Sequence, residues 1–532
     1  MTKSRDLGNL AQSVAVNLPT SLGSASQTLA VNSGASALEF VDAAAGGGGG
    51  SLEAVASGTL ANGDTVIINA DGTVSAVSQS QSTQAISSGT RLQNPSGAFA
   101  KAYYCGMAYD SDAKKVIIGY SDWNNSRYGT SVVGTVTGTA ISFGTAVVFE
   151  SADTRYISVA YDKHAQKVLI SYQDFGNSGY GTAIVGTVSG TSLSFGTATI
   201  FKSNLVSYIA SVYEPSYQKT VIAFSDNGYN AFLGVVAATI SGTSVSFGAT
   251  THDTLQCSQK AIVYDANSQR FVVVYKSTYD LKGYLEIFSL SGTTLTKALS
   301  SGRSTFYNSS LNRPSMAYDS AQQKIVIVYT ISYNARGEAL VASVSSNSIS
   351  YGSSVTFTNS NVLGSTTSYD VAAGKISISY ATSPYGYYQT GTVTGTSISF
   401  DSATQVEAAH GGGFSYEGHA AVYDSDQKRI VYVYSEAGNS SNNYGNVRVV
   451  LNGGVNVSNL EANNFIGISD AAYANGATAT IQIAGSVDDA QSGLTAGSKY
   501  YVQLDGSLGT SPANPSVIAG TAVSATKLIV KG

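Results

Sequence analysis

Charge is scarce in this chain: only 11% of its 532 residues are Asp, Glu, Lys or Arg, less than half the roughly 25% usual in soluble domains. Coiled coils and helical bundles are thereby excluded, because their solvated helix faces need Lys, Glu and Arg. The net charge of −5 offers no basic surface to a phosphate backbone, so no nucleic-acid partner is expected. Cysteine is almost absent: Cys105 and Cys257 lie far apart, form no metal or redox motif, and read as buried or unpaired thiols. The four histidines, His164, His252, His410 and His419, lack metal-ligand spacing, and no metal or other cofactor is expected. His410 and His419 flank the loop 411–417, where a metal or general base is conceivable, but a solvated loop is the simpler reading. No run approaches 18 apolar residues. Residues 1–6 are followed by a polar stretch rather than an apolar one, so no secretory signal is expected.

What the chain has in excess is Gly (56) and Tyr (35), organised as a repeat. A Tyr-acid pair recurs at Tyr109, Tyr161, Tyr213, Tyr264, Tyr318, Tyr369 and Tyr423, with intervals of 52, 52, 51, 54, 51 and 54 residues. Six residues after each Tyr stands Lys or Arg, and eleven after it an aromatic. In the first unit, 104–109 reads as a strand, 110–114 as a turn, 115–120 as a second strand and 121–128 as a longer loop. A third strand at 130–136, a turn at 137–139 and a fourth strand at 141–149 complete the unit. Four antiparallel strands in about 50 residues is the size of one β-propeller blade. The expectation is an all-β chain with a seven-bladed propeller over 83–454. Its seventh unit stops after 446–451 without a fourth strand, and an orphan at 86–92 precedes the first unit. The N-terminal strand is therefore expected to complete the last blade and close the ring, hiding two sheet edges.

Around that ring, residues 1–45 read as a polar leader and 46–82 as a Gly-rich linker with a small hairpin over 59–74. Residues 455–532 read as a separate β-rich module with strands near 478–483 and 500–504. The repeated acids read as turn formers, because Asp bonds the backbone just beyond it. The repeated bases begin the second strands and are expected to be structural.

The text of residues 18–40, LPTSLGSASQTLAVNSGASALEF, resembles the leader of tailed-phage fibre and virion structural proteins. Residues 492–510, SGLTAGSKYYVQLDGSLGT, resemble a module at the ends of such proteins, notably in marine phages, where similar propeller units also occur. The resemblance implies a virion component in a tail fibre or appendage, held to other virion proteins through the leader and present as a homo-oligomer or in several copies. It implies no catalytic residue.

The loops between second and third strands are long, variable and rich in aromatics and amides, a mixture suited to recognition. The opposite turns are short and uniform. A binding surface is therefore expected at Trp123, Asn124, Asn125, Arg127, Tyr128, Tyr180, Tyr229, Tyr333, Tyr385, Tyr387 and Tyr444, with a host-surface glycan or protein as partner. Aromatics would stack on a sugar while Asn124, Asn125 and Arg127 bond its hydroxyls. No enzyme activity is expected: Trp123, the single Trp, sits in Ser-Asp-Trp-Asn-Asn, which does not fit a sialidase Asp-box, and no carboxylate pair breaks the repeat. The alternatives are a polysaccharide-degrading appendage and a purely architectural tail, nozzle or capsid-decoration part.

Overall fold

A computed structural model of the chain describes residues 27–31, 38–42, 50–299, 302–333, 336–382, 385–407, 418–435, 444–513 and 515–531. The protein is all-β: strands of two to sixteen residues carry the fold, and among the described residues the only helical turns are two 3₁₀ pieces of three residues each. Two compact units are present, Thr83–Val455 and a second one that joins Met1–Ser82 to Asn456–Gly532.

Within Thr83–Val455, antiparallel sheets follow one another in chain order among the described residues. The first is built from Ala102–Asp110, Lys115–Asp122 and Tyr128–Thr137, with register pairs Val116↔Tyr109 and Val116↔Gly134. Its fourth edge differs from the expected continuous strand at 141–149. Ala140–Phe143 pairs with the lower part of Tyr128–Thr137, the chain breaks at Gly144, and Val147–Asp162 then pairs with the upper part. Gly144 is pressed against the carbonyl of Thr191 in the next sheet, so that a Cβ there would sit 2.0 Å from its oxygen. Val147–Asp162 does not stop at the edge but runs on to become the first strand of the second sheet.

Repeated residues have repeated jobs. Asp110 accepts the N–H groups of Asp112 at 3.0 Å and Ala113 at 2.8 Å, and the equivalent acids from Asp162 to Asp424 cap their own turns. Each of the seven bases opens its second strand, from Lys115 to Arg429. The aromatics two residues before the ends of these strands are core: Tyr120, Tyr172, Phe224, Tyr275 and Tyr329 are fully buried between sheets. Tyr hydroxyls there find partners, Tyr172 on Glu150 at 3.1 Å and Tyr329 on Glu338 at 3.0 Å, as buried polar groups require.

The seventh sheet takes its outer edge from far away in sequence. Ala85–Ile86 and Thr90–Arg91 pair with Gly445–Leu451 in the register Ile86↔Val450 and Arg91↔Asn446, two short pieces where one strand over 86–92 was expected. The seventh sheet also meets the first: Gly445 N–H donates to Ala100 O at 3.0 Å, and Lys114 Nζ lies 2.6 Å from Asp426.

The other unit corrects the expected domain boundaries. The hairpin Thr65–Ile68/Val74–Ala76 does not stand in a linker of its own, nor does the C-terminal segment form a module by itself. Ser51–Val55 pairs with Thr478–Gln482, and Thr65–Ile68 with Phe465–Ser469, in one five-stranded sheet. Alternate residues Leu52, Ala54, Val66, Ile68, Ala479 and Ile481 are buried together, which no segment could achieve alone. A second five-stranded sheet, from Val487–Asp488 to Leu528–Val530, packs Tyr500, Val502 and Leu528 on Ile67 and Ile468. Of the leader, Gln27–Val31 and Leu38–Asp42 pair antiparallel, and the rest lies outside the described residues.

Candidate functional site

In the first sheet of Thr83–Val455, the loop after the second strand stands at the end of the sheet where the first strand begins. Asp122 pairs with Ala102, and residues 123–127 follow directly. Five of the loops after second strands raise an aromatic into solvent: Trp123 (39% exposed), Phe175 (40%), Tyr229 (52%), Tyr279 (83%) and Tyr333 (92%). They occupy one register, 14 to 16 residues after the Tyr of each Tyr-acid pair. Tyr385 holds the same place in the sixth sheet, half-buried and 6.3 Å from Tyr387. Three of the five, Trp123, Tyr229 and Tyr333, were anticipated from sequence. Phe175 and Tyr279 were not, although an offset of 14 to 16 residues from the repeated Tyr would have found both.

The supporting residues are held rather than free. Trp123 stacks on Tyr103 with centroids 4.3 Å apart, and the Arg127 guanidinium lies 4.4 Å over its ring. Arg127 also pairs with Asp153 at 3.2 Å, which Arg155 shares at 2.7 Å. Asn124 donates its amide to Phe99 O at 2.9 Å and its N–H to Asp122, whose carbonyl takes the N–H of Asn125 at 3.0 Å. Asn124 and Arg127 therefore spend side-chain bonds within and beside the loop, and Asn125 its backbone N–H. Tyr128, Tyr180 and Tyr387 lie on third strands, not in loops, and are half-buried; Tyr387 stacks on Tyr380 at 5.3 Å. Tyr444 packs edge-on against Phe99 at 5.6 Å, with Arg91 5.2 Å from its ring. Tyr229 stacks on His252 at 4.6 Å, and His252 pairs with Asp226 at 2.9 Å, so this histidine is a support for the aromatic.

A cavity of about 340 Å³ was not anticipated. It is lined by the residues five and four positions before Tyr109, Tyr161, Tyr213, Tyr264 and Tyr318, and by Ser365 and His419, four positions before Tyr369 and Tyr423. On one side stand Tyr104, Tyr156 and Tyr208, in edge and tilted contact at 5.0 and 4.7 Å. On the other stand Gln259, Lys260, Arg313, Ser365 and His419. The first strands bulge here: pairing jumps from Gly119 to Ser121 in the first sheet, and equivalent shifts occur in the second through sixth. Tyr104, Tyr156, Tyr208, Gln259 and Arg313 all have left-handed backbones, φ 51°, 50°, 50°, 32° and 54°. Such a conformation costs a bulky L-residue about 1–2 kcal/mol, and strain of this kind gathers at ligand clamps. In sequence these positions hide inside strands, and only their changing residue type against a constant frame marks them.

Charge on the cavity wall is one-sided. Lys260 and Arg313 face it, and the lining includes no Asp or Glu among the described residues. Lys260 donates to Tyr208 O at 3.1 Å and Ser225 Oγ at 2.7 Å, and burial lowers its pKa, with the Cys257 thiol opposing the shift. His419 keeps part of its surface open, but both ring nitrogens are shut off from solvent without a hydrogen-bond partner. Burial, aided by Arg313, drops its pKa to about 4, so the ring is neutral at physiological pH. Ser365 Oγ is likewise buried without a partner. His410, the other half of the expected histidine pair, lies outside the described residues, and among those described no cluster of metal-ligating side chains occurs. Cys105 and Cys257 are free and buried, as expected, and desolvation lifts the Cys105 thiol to about 12.

No protein-family model matches the chain, and no curated protein matches it. Among solved structures, a mutant of AofleA from Arthrobotrys oligospora is similar at 9% identity and TM-score 0.40, over 64% of this chain and 93% of that one. The polysaccharide lyase Uly1 is similar at 11% identity and TM-score 0.41, over 67% and 91%. The SapL1 lectin in complex with α-methyl fucoside is similar at 10% identity and TM-score 0.38, over 58% and 97%.

Proposed function

We propose that Thr83–Val455 is a seven-bladed β-propeller closed by the strand pieces Ala85–Ile86 and Thr90–Arg91, and that its loop end attaches the protein to glycans. The observation that carries the binding reading is the register of exposed aromatics: Trp123, Phe175, Tyr229, Tyr279 and Tyr333 rise from equivalent loops at one end of successive sheets. Solvating five large rings is unfavourable by about 25 cal/mol per Å² of apolar surface. A rigid aromatic offers a sugar ring a flat face at little entropic cost, and a row of them suits a repeating or branched glycan. One stacked site of millimolar affinity corresponds to about −4 kcal/mol, and several copies on one particle multiply it through avidity. The opposite end, with acid-capped turns of one design, carries no comparable variation.

The setting we favour is the virion of a tailed phage, with the protein in a fibre or appendage and the glycan on the host surface. That part rests on the resemblance of residues 18–40 and 492–510 to phage structural proteins. We read the protein as a non-enzymatic adhesin: Glu407 is tied to Arg448 at 2.6 Å and Asp253 to Arg303 at 3.0 Å, while the acids of the repeat cap their own turns.

The test is an array of bacterial surface glycans probed with the full chain, with the double variant Tyr279→Ala/Tyr333→Ala, and with Asp112→Ala/Lys163→Ala at the opposite end. The reading expects glycan binding by the parent chain, a loss of at least tenfold in the first variant and no change in the second. Absence of binding by the parent, or a loss confined to the second variant, would overturn it.

A further inference from the structure

The cavity at the six bulges shares no residue with the loop aromatics, and its chemistry points to a different kind of contact. Its two halves are unlike: three tyrosine rings on one side, and Lys260, Arg313 and neutral polar groups on the other. A protein of net charge −5 that places two of its 28 basic residues on one cavity, with no acid on the wall among the described residues, has a local positive field there. In a partly enclosed site such a field is weakly screened. Binding an anion there would reverse the desolvation that lowers the Lys260 pKa. Arg313, whose Nη1 already donates to Val362 O at 2.8 Å, places a planar guanidinium in the wall, a group whose shape and charge suit a carboxylate. The volume, about 340 Å³, lies at the small end of ligand pockets, sized for one monosaccharide unit rather than a chain. The frame is also costly: five successive left-handed non-glycine residues and the unpartnered His419 nitrogens and Ser365 Oγ are retained around this one space. Buried polar atoms left without partners are rare and call for an explanation.

We propose that this cavity binds one acidic monosaccharide unit, a hexuronate or similar sugar acid, with Arg313 and Lys260 on its carboxylate and Tyr104, Tyr156 and Tyr208 against the apolar side of its ring. The choice of a sugar as carrier of the carboxylate rests on the glycan reading above; the preference for an anion rests on the wall itself. The loop aromatics would grip the polymer while the cavity selects for a charged residue in it.

The experiment titrates the full-length protein with D-galacturonate, D-galactose and acetate, following binding by saturation-transfer NMR and calorimetry. Galacturonate is expected to bind in the millimolar range, at least tenfold tighter than either galactose or acetate. Arg313→Gln should lose at least tenfold of that affinity, Arg313→Lys should restore part of it, and Tyr279→Ala/Tyr333→Ala should bind galacturonate as the parent does. Should Arg313→Gln fail to fold, as Trp123 emission would report, Lys260→Met carries the same expectation. Galactose or acetate binding within threefold of galacturonate would overturn the proposal, as would an unchanged affinity in the folded charge variants. Loss of galacturonate only in the loop variant would overturn the cavity site while leaving the glycan reading intact. Failure of the glycan array with these titrations holding would do the reverse.

Discussion

Truncating Leu92 tests the ring closure through a single side chain. Leu92 follows the edge piece Thr90–Arg91, is fully buried, and packs with Ala102 of the first sheet and with Val431, Val433 and Val447 of the seventh. Its backbone is bonded on both sides, N–H to Gly445 O at 2.8 Å and carbonyl from Ala100 N–H at 2.9 Å. The fit is close, since a Cβ built on Gly445 would lie 2.9 Å from Leu92 Cδ1. Leu92→Ala leaves the hydrogen bonds in place and removes the packing, so the cost is the transfer and cavity terms of a buried leucine, about 2–5 kcal/mol. If 86–92 were an incidental strap on a ring already closed by other contacts, the side chain would be replaceable by water at little cost. Urea unfolding followed by tryptophan emission is well suited, because Trp123 is the only Trp and stands in the loop of the first sheet, stacked on Tyr103. The control is Val371→Ala, a 57% exposed turn residue of the sixth sheet, expected to shift stability by less than about 0.5 kcal/mol. A Leu92→Ala transition within the same margin of the parent would refute the closure argument.

Further expectations follow from individual residues. Glu286 is fully buried and its pKa is raised to about 8, by burial first and then by Asp253. Its folded pKa exceeds the unfolded one near 4.5, so the native state binds the extra proton and stability falls as pH rises from about 4.5 to 8. Glu286→Gln should flatten that decline, measured as urea midpoints across the window; an unchanged slope would contradict it. Asp162→Ala removes the acceptor for Ala165 N–H, 2.9 Å away, and should cost about 1 kcal/mol in the same assay. Cys105 and Cys257 should both resist a thiol reagent at pH 8 in the native protein and both react in urea, because each is buried with a raised pKa. Rapid native labelling of either would contradict their placement.

Much of the frame could be read in the sequence because it is written seven times. The acid that caps its own turn, the base that opens the second strand and the aromatic near its end are local choices, repeated at fixed offsets, and local choices leave local signatures. The pairing of Ile86 with Val450 was legible for another reason: a missing strand at one end of the repeat matched an orphan at the other. The union of Ser51–Val55 with Thr478–Gln482 was not legible, since neither segment belongs to a repeat and antiparallel register over that separation leaves no local trace. The loops after the second strands were legible as loops, but not their internal bonding. Whether Asn124 faces a ligand or the carbonyl of Phe99 depends on a backbone path that composition does not specify. The cavity was hidden most deeply, because a bulge places Tyr104 and its counterparts by breaking strand alternation rather than following it.

The most direct test of the attachment surface is hydrogen exchange by mass spectrometry on the full chain, with and without a bacterial surface polysaccharide that the parent binds. The account predicts slowed exchange in the loops that carry Trp123, Phe175, Tyr229, Tyr279 and Tyr333, and none in the acid-capped turns after Asp110, Asp162, Glu214, Asp265 and Asp319. Protection confined to those turns would contradict it.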